Sequence, residues 1–352
     1  MGNKENGYIL EARTVYKGLK FAIGLSLLFS AILILTTLDK EEFYYAVNRV
    51  DLLLLIKISI LMLINIASAG MKFKVMISAT GNKISLREAM NLHLAGSFIS
   101  NVTPMATGGG PFQIYFLIKR GINLGQGTMI VVTQFIMRIF FFTFASIIFF
   151  IFFNDLISPG VLPSYIFYLT IGVGFVITLS LIILSIVPAV SDFLIHLLFK
   201  NNFLKKLVKK SYKLKRWIVN GRRELREFHE SMELLVSHKD KLFLLALSTI
   251  VFWTSIFLII PVILNGLGHE PHYLRSYVMQ TIFNLVIYYM PTPGASGVAE
   301  VGFASIFVSF IPRGIIGLVT FLWRFVTFYM ILIIGGVVAF RELGWNRRQK
   351  DE

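Results

Sequence analysis

The chain has 352 residues, 56% of them apolar and only 15% charged, with a mean hydropathy of +0.73. Soluble domains carry about 25% charged residues, so a water-exposed globule of this composition would lack the polar cover its core needs. The absence of cysteine excludes disulfides, thiolate nucleophiles and Cys-ligated metals, and the net charge of +15 turns attention to where the cations sit relative to a bilayer.

A spanning helix needs about 20 apolar residues. In chain order, Leu19–Leu38 and Leu52–Met71 meet that requirement. The first is not expected to be a cleaved signal peptide, being too long for an apolar h-region and followed by no small-x-small site. Next comes Ile84–Arg120, apolar but interrupted by Pro104 and by Gly108, Gly109 and Gly110. A short helix, a break and a second short helix predict a re-entrant hairpin, because broken backbone at membrane depth survives only beside protein or water; a kinked full span is the alternative. Gly127–Phe153 and Ser164–Pro188 are spans three and four. Their phenylalanines, from Phe140 to Phe153, are expected to face lipid tails.

The stretch Lys200–Lys241 is basic, with Leu204, Leu207, Val208, Trp217, Ile218, Leu225, Phe228, Met232 and Leu235 at roughly helical spacing. That pattern suits either a helix lying on the anionic inner leaflet or a positively charged stop that only fixes topology. Leu242–Gly266 is span five, Leu274–Arg313 is a second interrupted region broken at Pro291, Pro293, Gly294 and Gly297, and Gly314–Phe340 is span six.

The charges orient these elements. With the N-terminus inside and both hairpins returning to the side they enter, 27 of the 34 Lys and Arg residues lie inside. Arg138 and Arg324 fall within spans, and Lys57 and Lys72 are expected to snorkel to the interfaces. The bias predicts cytoplasmic termini in the plasma membrane.

The two interrupted regions resemble each other at an offset of 187, which lays Pro104 on Pro291, Gly110 on Gly297, Gln113 on Glu300 and Phe116 on Phe303. His93, Ser97 and Asn101 recur every fourth residue and form one polar stripe; Gln280, Asn284 and Tyr288 do the same in the second unit. One buried arginine follows each hairpin, Arg138 and Arg324. Entry from opposite sides makes the units inverted repeats, an arrangement common among secondary transporters. The fold class read here is an all-α integral membrane protein of six transmembrane helices plus two re-entrant helical hairpins in inverted repeats. Residues 1–352 form one polytopic domain, with repeat 1 at about 84–153, repeat 2 at about 274–340 and the cytoplasmic basic segment at about 200–241.

Chemistry concentrates at the breaks. Proline stops the incoming helix, Gly294 and Gly297 allow backbone that side chains would block, and each restarting helix points free N–H groups into the gap, where anions are favoured. Glu300 sits in a first helical turn deep in apolar sequence, so it needs a proton or a partner; Arg324 and Arg138 are the candidates for pairing with it or for holding a phosphate. A static Glu–Arg clip is the bland alternative. His93 could titrate or simply pack. There is no G-x-x-x-x-G-K-[ST] loop, no His-rich metal pattern and no G-x-S-x-G elbow, so neither a cofactor nor a metal is expected.

At Pro293-Gly294-x-x-Gly297-x-x-Glu300, the Arg324 span, and the Gly108-Gly109-Gly110 hairpin followed by Arg138, the chain resembles the flippase-like family. That family includes the transmembrane flippase region of lysylphosphatidylglycerol synthase (multiple peptide resistance factor). The resemblance covers about residues 10–345 and implies movement of a lipid between leaflets, typically an aminoacylated phosphatidylglycerol. Other members are tied to polyprenyl-linked glycan lipids, so an anionic phospholipid or a polyprenyl phosphate is equally a candidate substrate. No soluble aminoacyl-transfer domain is read in the sequence, so lysyltransferase activity is not expected.

The expected function is thus a lipid flippase with a midplane cavity, whose substrate-binding residues are Arg138, Arg324, Glu300, His93, Asn101, Gln280 and Asn284. Its partners would be membrane lipids and a lipid-synthesising enzyme, with no nucleic acid. The alternatives are the membrane component of a phosphatidylglycerol lysyltransferase system, another lipid-modifying enzyme using His93, Glu300, Thr103 or Thr107, and a small-solute transporter.

Overall fold

The computed structural model describes residues 12–37, 39–153, 156, 164–200, 212–287 and 290–343. These residues are helical throughout apart from short turns, with no strand among them. Helices α1 (Ala12–Thr37), α2 (Lys40–Val47) and α3 (Leu52–Ala79) lead into α4 (Leu86–Val102), a break, and α5 (Gly109–Ile118). Then come α6 (Leu124–Phe152), α7 (Ser164–Ile186), α8 (Pro188–Lys200) and α9 (Tyr212–Ser237). Helices α10 (Lys239–Phe257), α11 (Ile259–Gly266) and α12 (Tyr273–Ile287) precede the second break. The chain closes with α13 (Val298–Phe307), α14 (Arg313–Arg324), a π-turn over Phe325–Tyr329 and α15 (Met330–Leu343).

Local sequence chemistry sets several of these boundaries. The Ser85 hydroxyl accepts from the Glu88 N–H while the Glu88 carboxylate accepts from the Ser85 N–H, a reciprocal cap that starts α4. Asp39 and Asp51 cap α2 and α3 in the simpler way, each accepting backbone N–H groups with its carboxylate.

Among the described residues, five stretches are long and apolar enough to cross a membrane: Val15–Thr37, Leu52–Ala79, Leu124–Phe152, Lys239–Gly266 and Arg313–Leu343. The fourth of the expected spans is different. Its helix turns by 94° between Ile186 and Pro188, so it adds a sixth crossing only if α7 and α8 are counted as one bent span. Proline lacks the donor that would carry a helix through that point. Leu28, Leu35, Leu53, Leu63, Ile151 and Phe152 are exposed on these long helices, as lipid-facing positions are when no lipid is counted. The chain is therefore a multi-pass membrane protein.

Two expectations need correction here. The phenylalanine run of α6 does not simply face lipid: Phe140, Phe144 and Phe152 are exposed, but Phe142 is buried against Trp253, with ring centroids 4.5 Å apart. The last turns of the basic segment's apolar stripe pack into the protein as well. In α9, Phe228, Met232 and Leu235 are buried in a core shared with Met129 and Ile130 of α6. Residues 201–211, and the side chains of Trp217 and Ile218, lie outside the described part.

Small residues let the helices close up. A Cβ on Gly317 of α14 would stand 2.8 Å from the Ile34 backbone of α1, and one on Gly335 of α15 would strike the Leu94 carbonyl of α4. Such contacts between backbones are how membrane helices associate without a hydrophobic driving force between them. A second core, built from Phe303, Phe307 and Trp323, seats α13 against α14, with Phe303 and Phe307 stacked at 4.2 Å.

Candidate functional site

The two breaks are built alike. After α4, Thr103 is extended and Pro104–Ala106 makes one 3₁₀ turn, with Met105 (φ 52°) and Ala106 (φ 54°) in left-handed backbone. In the second break Thr292 is extended and Pro293–Ala295 makes the same turn, with Gly294 (φ 59°) and Ala295 (φ 52°) left-handed. The restarting helices begin at Gly109 and Val298.

These coincidences fix the offset at 189 rather than 187. Pro104 corresponds to Pro293, not to Pro291, and Gly108, not Gly110, corresponds to Gly297. Glu300 then matches Pro111, not Gln113. The sequence signal was present: Thr-Pro-Met-Ala-Thr-Gly from Thr103 against Thr-Pro-Gly-Ala-Ser-Gly from Thr292.

The breaks touch. A Cβ on Gly294 would come within 3.2 Å of the Asn101 carbonyl and would overlap the Phe328 ring. Glycine is required there both for its backbone angles and for space.

Behind the second break lies a closed ionic cluster. Glu300 is fully buried and Arg324 is 5% exposed. Arg324 donates from Nε to Glu300 Oε1 at 2.8 Å, and its terminal nitrogen reaches the Gly294 carbonyl and the Ser296 hydroxyl, each at 3.2 Å. The Gly297 N–H donates to Glu300 Oε2 at 2.7 Å, and Ser26 of α1 donates to Oε1. The Tyr329 hydroxyl donates to Ser26 Oγ at 2.8 Å. The Phe328 ring lies under the guanidinium at 4.0 Å. The cluster fixes the second break, as the static-clip alternative for Glu300 describes. Buried ion pairs hold when each lone pair and proton finds such partners. Ser26 and Tyr329 were not foreseen: nothing in an apolar helix marks one serine above another.

In front of the breaks is a cavity of about 610 Å³. His93, Asn101, Arg138, Gln280, Asn284 and Arg324 all border it, as expected, whereas Glu300 does not. Gln280 is almost wholly buried and gives its amide hydrogens to the Phe257 and Ser276 carbonyls, at 2.7 and 3.1 Å, so it positions backbone rather than reaching into the space. Asn284 donates to the Gln280 carbonyl at 2.8 Å. Of the breaks, Met105, Thr107, Gly109, Gly110, Gly294 and Ala295 reach the cavity wall, but Pro104, Pro291, Pro293, Gly108 and Gly297 do not. Tyr288 lies outside the described residues.

Lys72 is a second correction to the charge map. It does not snorkel: α3 continues through Phe73, Met76 and Ile77 to Ala79, which leaves Lys72 only 9% exposed. It borders the cavity with its ammonium 3.8 Å from the Phe252 ring centroid. The mostly apolar run that continues through Phe73, Val75, Met76 and Ile77 to Ala79 was the available clue.

Broken helices meeting around a cavity lined by both polar and apolar side chains, in an all-helical bundle with apolar exposed faces, define a multi-pass membrane protein with charged and amide groups inside it. The family described as "Lysylphosphatidylglycerol synthase TM region" matches over residues 19–335, and the chain belongs to that family. A "UPF0104 membrane protein" of Archaeoglobus fulgidus is 28% identical over 310 residues, covering 85% of this chain and 89% of that protein. No solved structure matches the chain.

Proposed function

We propose that the chain is a lipid flippase, carrying a phosphate-bearing lipid headgroup, whether of an anionic or aminoacylated phospholipid or of a polyprenyl phosphate, between leaflets through the cavity between its two breaks. The observation that carries this reading is convergence. Both proline breaks, the polar stripe of α4, Asn284 and two arginines border one buried space. Intramembrane charges and irregular backbone are costly and are kept where a polar path needs them. The family name supports a lipid substrate.

In this reading the α4–α5 and α12–α13 pairs are re-entrant hairpins entering from opposite faces of the plasma membrane, the two repeats are inverted, and both termini are cytoplasmic. The tails stay in lipid while the headgroup crosses. The chain acts as a transporter rather than an enzyme, and its partners are membrane lipids and the enzyme that makes the transported lipid. A second reading, the membrane component of a lipid-aminoacylating system, is favoured only by the family name.

The test is reconstitution in vesicles with fluorescent phosphatidylglycerol in one leaflet. Label should cross faster than in protein-free vesicles, and Arg138→Gln should slow crossing by about tenfold, the loss expected for one charge-assisted contact. Rates no higher than in protein-free vesicles would sink the proposal.

A further inference from the structure

The polar side chains bordering the cavity divide into those already engaged with the protein and those still free. Asn65, Thr249 and Thr327 give hydrogens to the Phe252, Leu245 and Trp323 carbonyls. Gln280 and Asn284 of α12 likewise give amide hydrogens to backbone. Among the described residues, by contrast, His93, Ser97, Ser100 and Asn101 of α4 and Gln113 of α5 border the same space without a side-chain hydrogen bond, and each is partly exposed. Two more residues of the wall, Gln134 of α6 and Thr292 of the second break, hold a polar atom that is enclosed with no partner. Apart from Thr292, these free groups all belong to α4, α5 and α6.

The fold gathers the first five. His93, Ser97 and Asn101 fall on successive turns of one face of α4, over about 12 Å, with Ser100 beside them. Helix α5 folds back on α4 through glycines. A Cβ on Gly96 would collide with the Gln113 amide, and one on Gly109 with the Ser100 hydroxyl. That close approach sets Gln113 and Ser100 next to the stripe.

The chemistry of the set is specific. An amide, a hydroxyl and a neutral imidazole each donate and accept. A phosphodiester anion only accepts, so it would leave the Asn101 and Gln113 amide oxygens without a donor. A hydroxyl satisfies both halves of an amide, giving its hydrogen to the oxygen and taking one from the nitrogen. We propose that His93, Ser97, Ser100, Asn101 and Gln113 form a subsite for the hydroxyl-bearing part of a phosphodiester headgroup. The proposal rests on the transport reading for the lipid nature of the ligand; the hydroxyl preference follows from the free groups themselves. A site built around hydroxyls leaves its own polar groups unpaired when the hydroxyls are missing, and so selects among headgroups of equal charge.

The experiment measures binding rather than movement. The purified full chain in detergent is titrated with short-chain radiolabelled phosphatidylglycerol and, separately, with phosphatidylpropanol, which has the same charge and headgroup length but no hydroxyl. Phosphatidylglycerol should bind about tenfold tighter. Asn101→Leu and Gln113→Leu should each remove most of that advantage by weakening phosphatidylglycerol alone. Thr327→Val, at the wall but with its hydroxyl engaged by the Trp323 carbonyl, should leave the ratio unchanged.

Equal affinity for the two lipids, or binding of neither, overturns the proposal in the unaltered chain, without needing any variant to fold. Equal affinity would mean that the free groups serve solvent only. An unchanged ratio in folded Asn101→Leu and Gln113→Leu proteins overturns it as well. Competition by glycerophosphoglycerol, the same headgroup without tails, at an affinity equal to that of the lipid would uphold the subsite and count against lipid transport. Selective binding without movement between leaflets would do the same.

Discussion

Arg324, at the cavity wall, meets the fully buried Glu300 at 2.8 Å, and four other residues complete their hydrogen bonding. The pair joins α13, just after the second break, to α14, and Ser26 extends it to α1. Removing one partner leaves the other as an uncompensated buried charge, which costs about 3–5 kcal/mol. Glu300→Gln and Arg324→Gln should each lower the thermal midpoint of the detergent-solubilised protein sharply. The double variant should lose less than the two single losses added together. Strict additivity would show that the pair is not an energetic unit.

Gly294 and Met105 occupy equivalent places in the two breaks, at φ 59° and φ 52°. A left-handed residue with a side chain costs about 1–2 kcal/mol, and at Gly294 a side chain also meets Phe328. Gly294→Ala should destabilise by at least that amount. Met105→Gly should hold or raise stability, since Met105 is 56% exposed and gives up little packing. Chemical unfolding of both variants reads the contrast, and equal effects would contradict the assignment of the left-handed turn.

Ser26 is the acceptor for Tyr329 and a donor to Glu300. Ser26→Ala takes a donor from a buried carboxylate and leaves a mostly buried phenol without its acceptor, for a loss of about 1–3 kcal/mol. Tyr329→Phe removes one bond and leaves no new orphan on the ring, so its loss should be smaller. A thermal midpoint for Ser26→Ala equal to that of the unaltered protein would remove α1 from the cluster.

The chain has no cysteine, so single replacements report on water directly. Ser97→Cys and Asn284→Cys, at the cavity wall, should react with a charged thiol reagent, because the thiolate forms only where water or cations support it. Leu63→Cys and Ile151→Cys, on exposed faces of α3 and α6, should stay unlabelled in vesicles. Labelling of the second pair at the rate of the first would mean that those faces are wet and the lipid-facing reading is wrong.

Much of this was legible in the sequence because membrane helices advertise themselves through unbroken apolar length, and prolines mark where such length fails. The long helices and both breaks are where the sequence put them; six of the seven expected site residues border the cavity, and the seventh, Glu300, is buried outside its wall. The repeat register was also written in the sequence, in the Thr-Pro-x-Ala-x-Gly match from Thr103 and Thr292, but it was misread. The second break has two prolines and the first has one before its glycines, and pairing the first proline of each misplaced the match by two residues. The true alignment is fixed by positive φ at Met105 and Ala106, and methionine gives no warning of such backbone. Lys72 was misjudged because a span was ended after the customary length although the apolar pattern ran on. Ser26 and Tyr329 join the site only through tertiary approach, from opposite ends of the chain.

The alike backbones of the two breaks conceal unequal anchoring. Around the first, the Thr103 hydroxyl donates to the Ile99 carbonyl at 2.8 Å and accepts from the Gly108 N–H at 3.0 Å, a strictly local arrangement. Around the second, an ionic knot reaches two distant stretches of chain, Ser26 in α1 and Arg324 with Tyr329 near the C-terminal end. The molecule is a lopsided arch, bolted at one foot and merely resting on the other, and any deformation imposed on it will find the first foot more yielding.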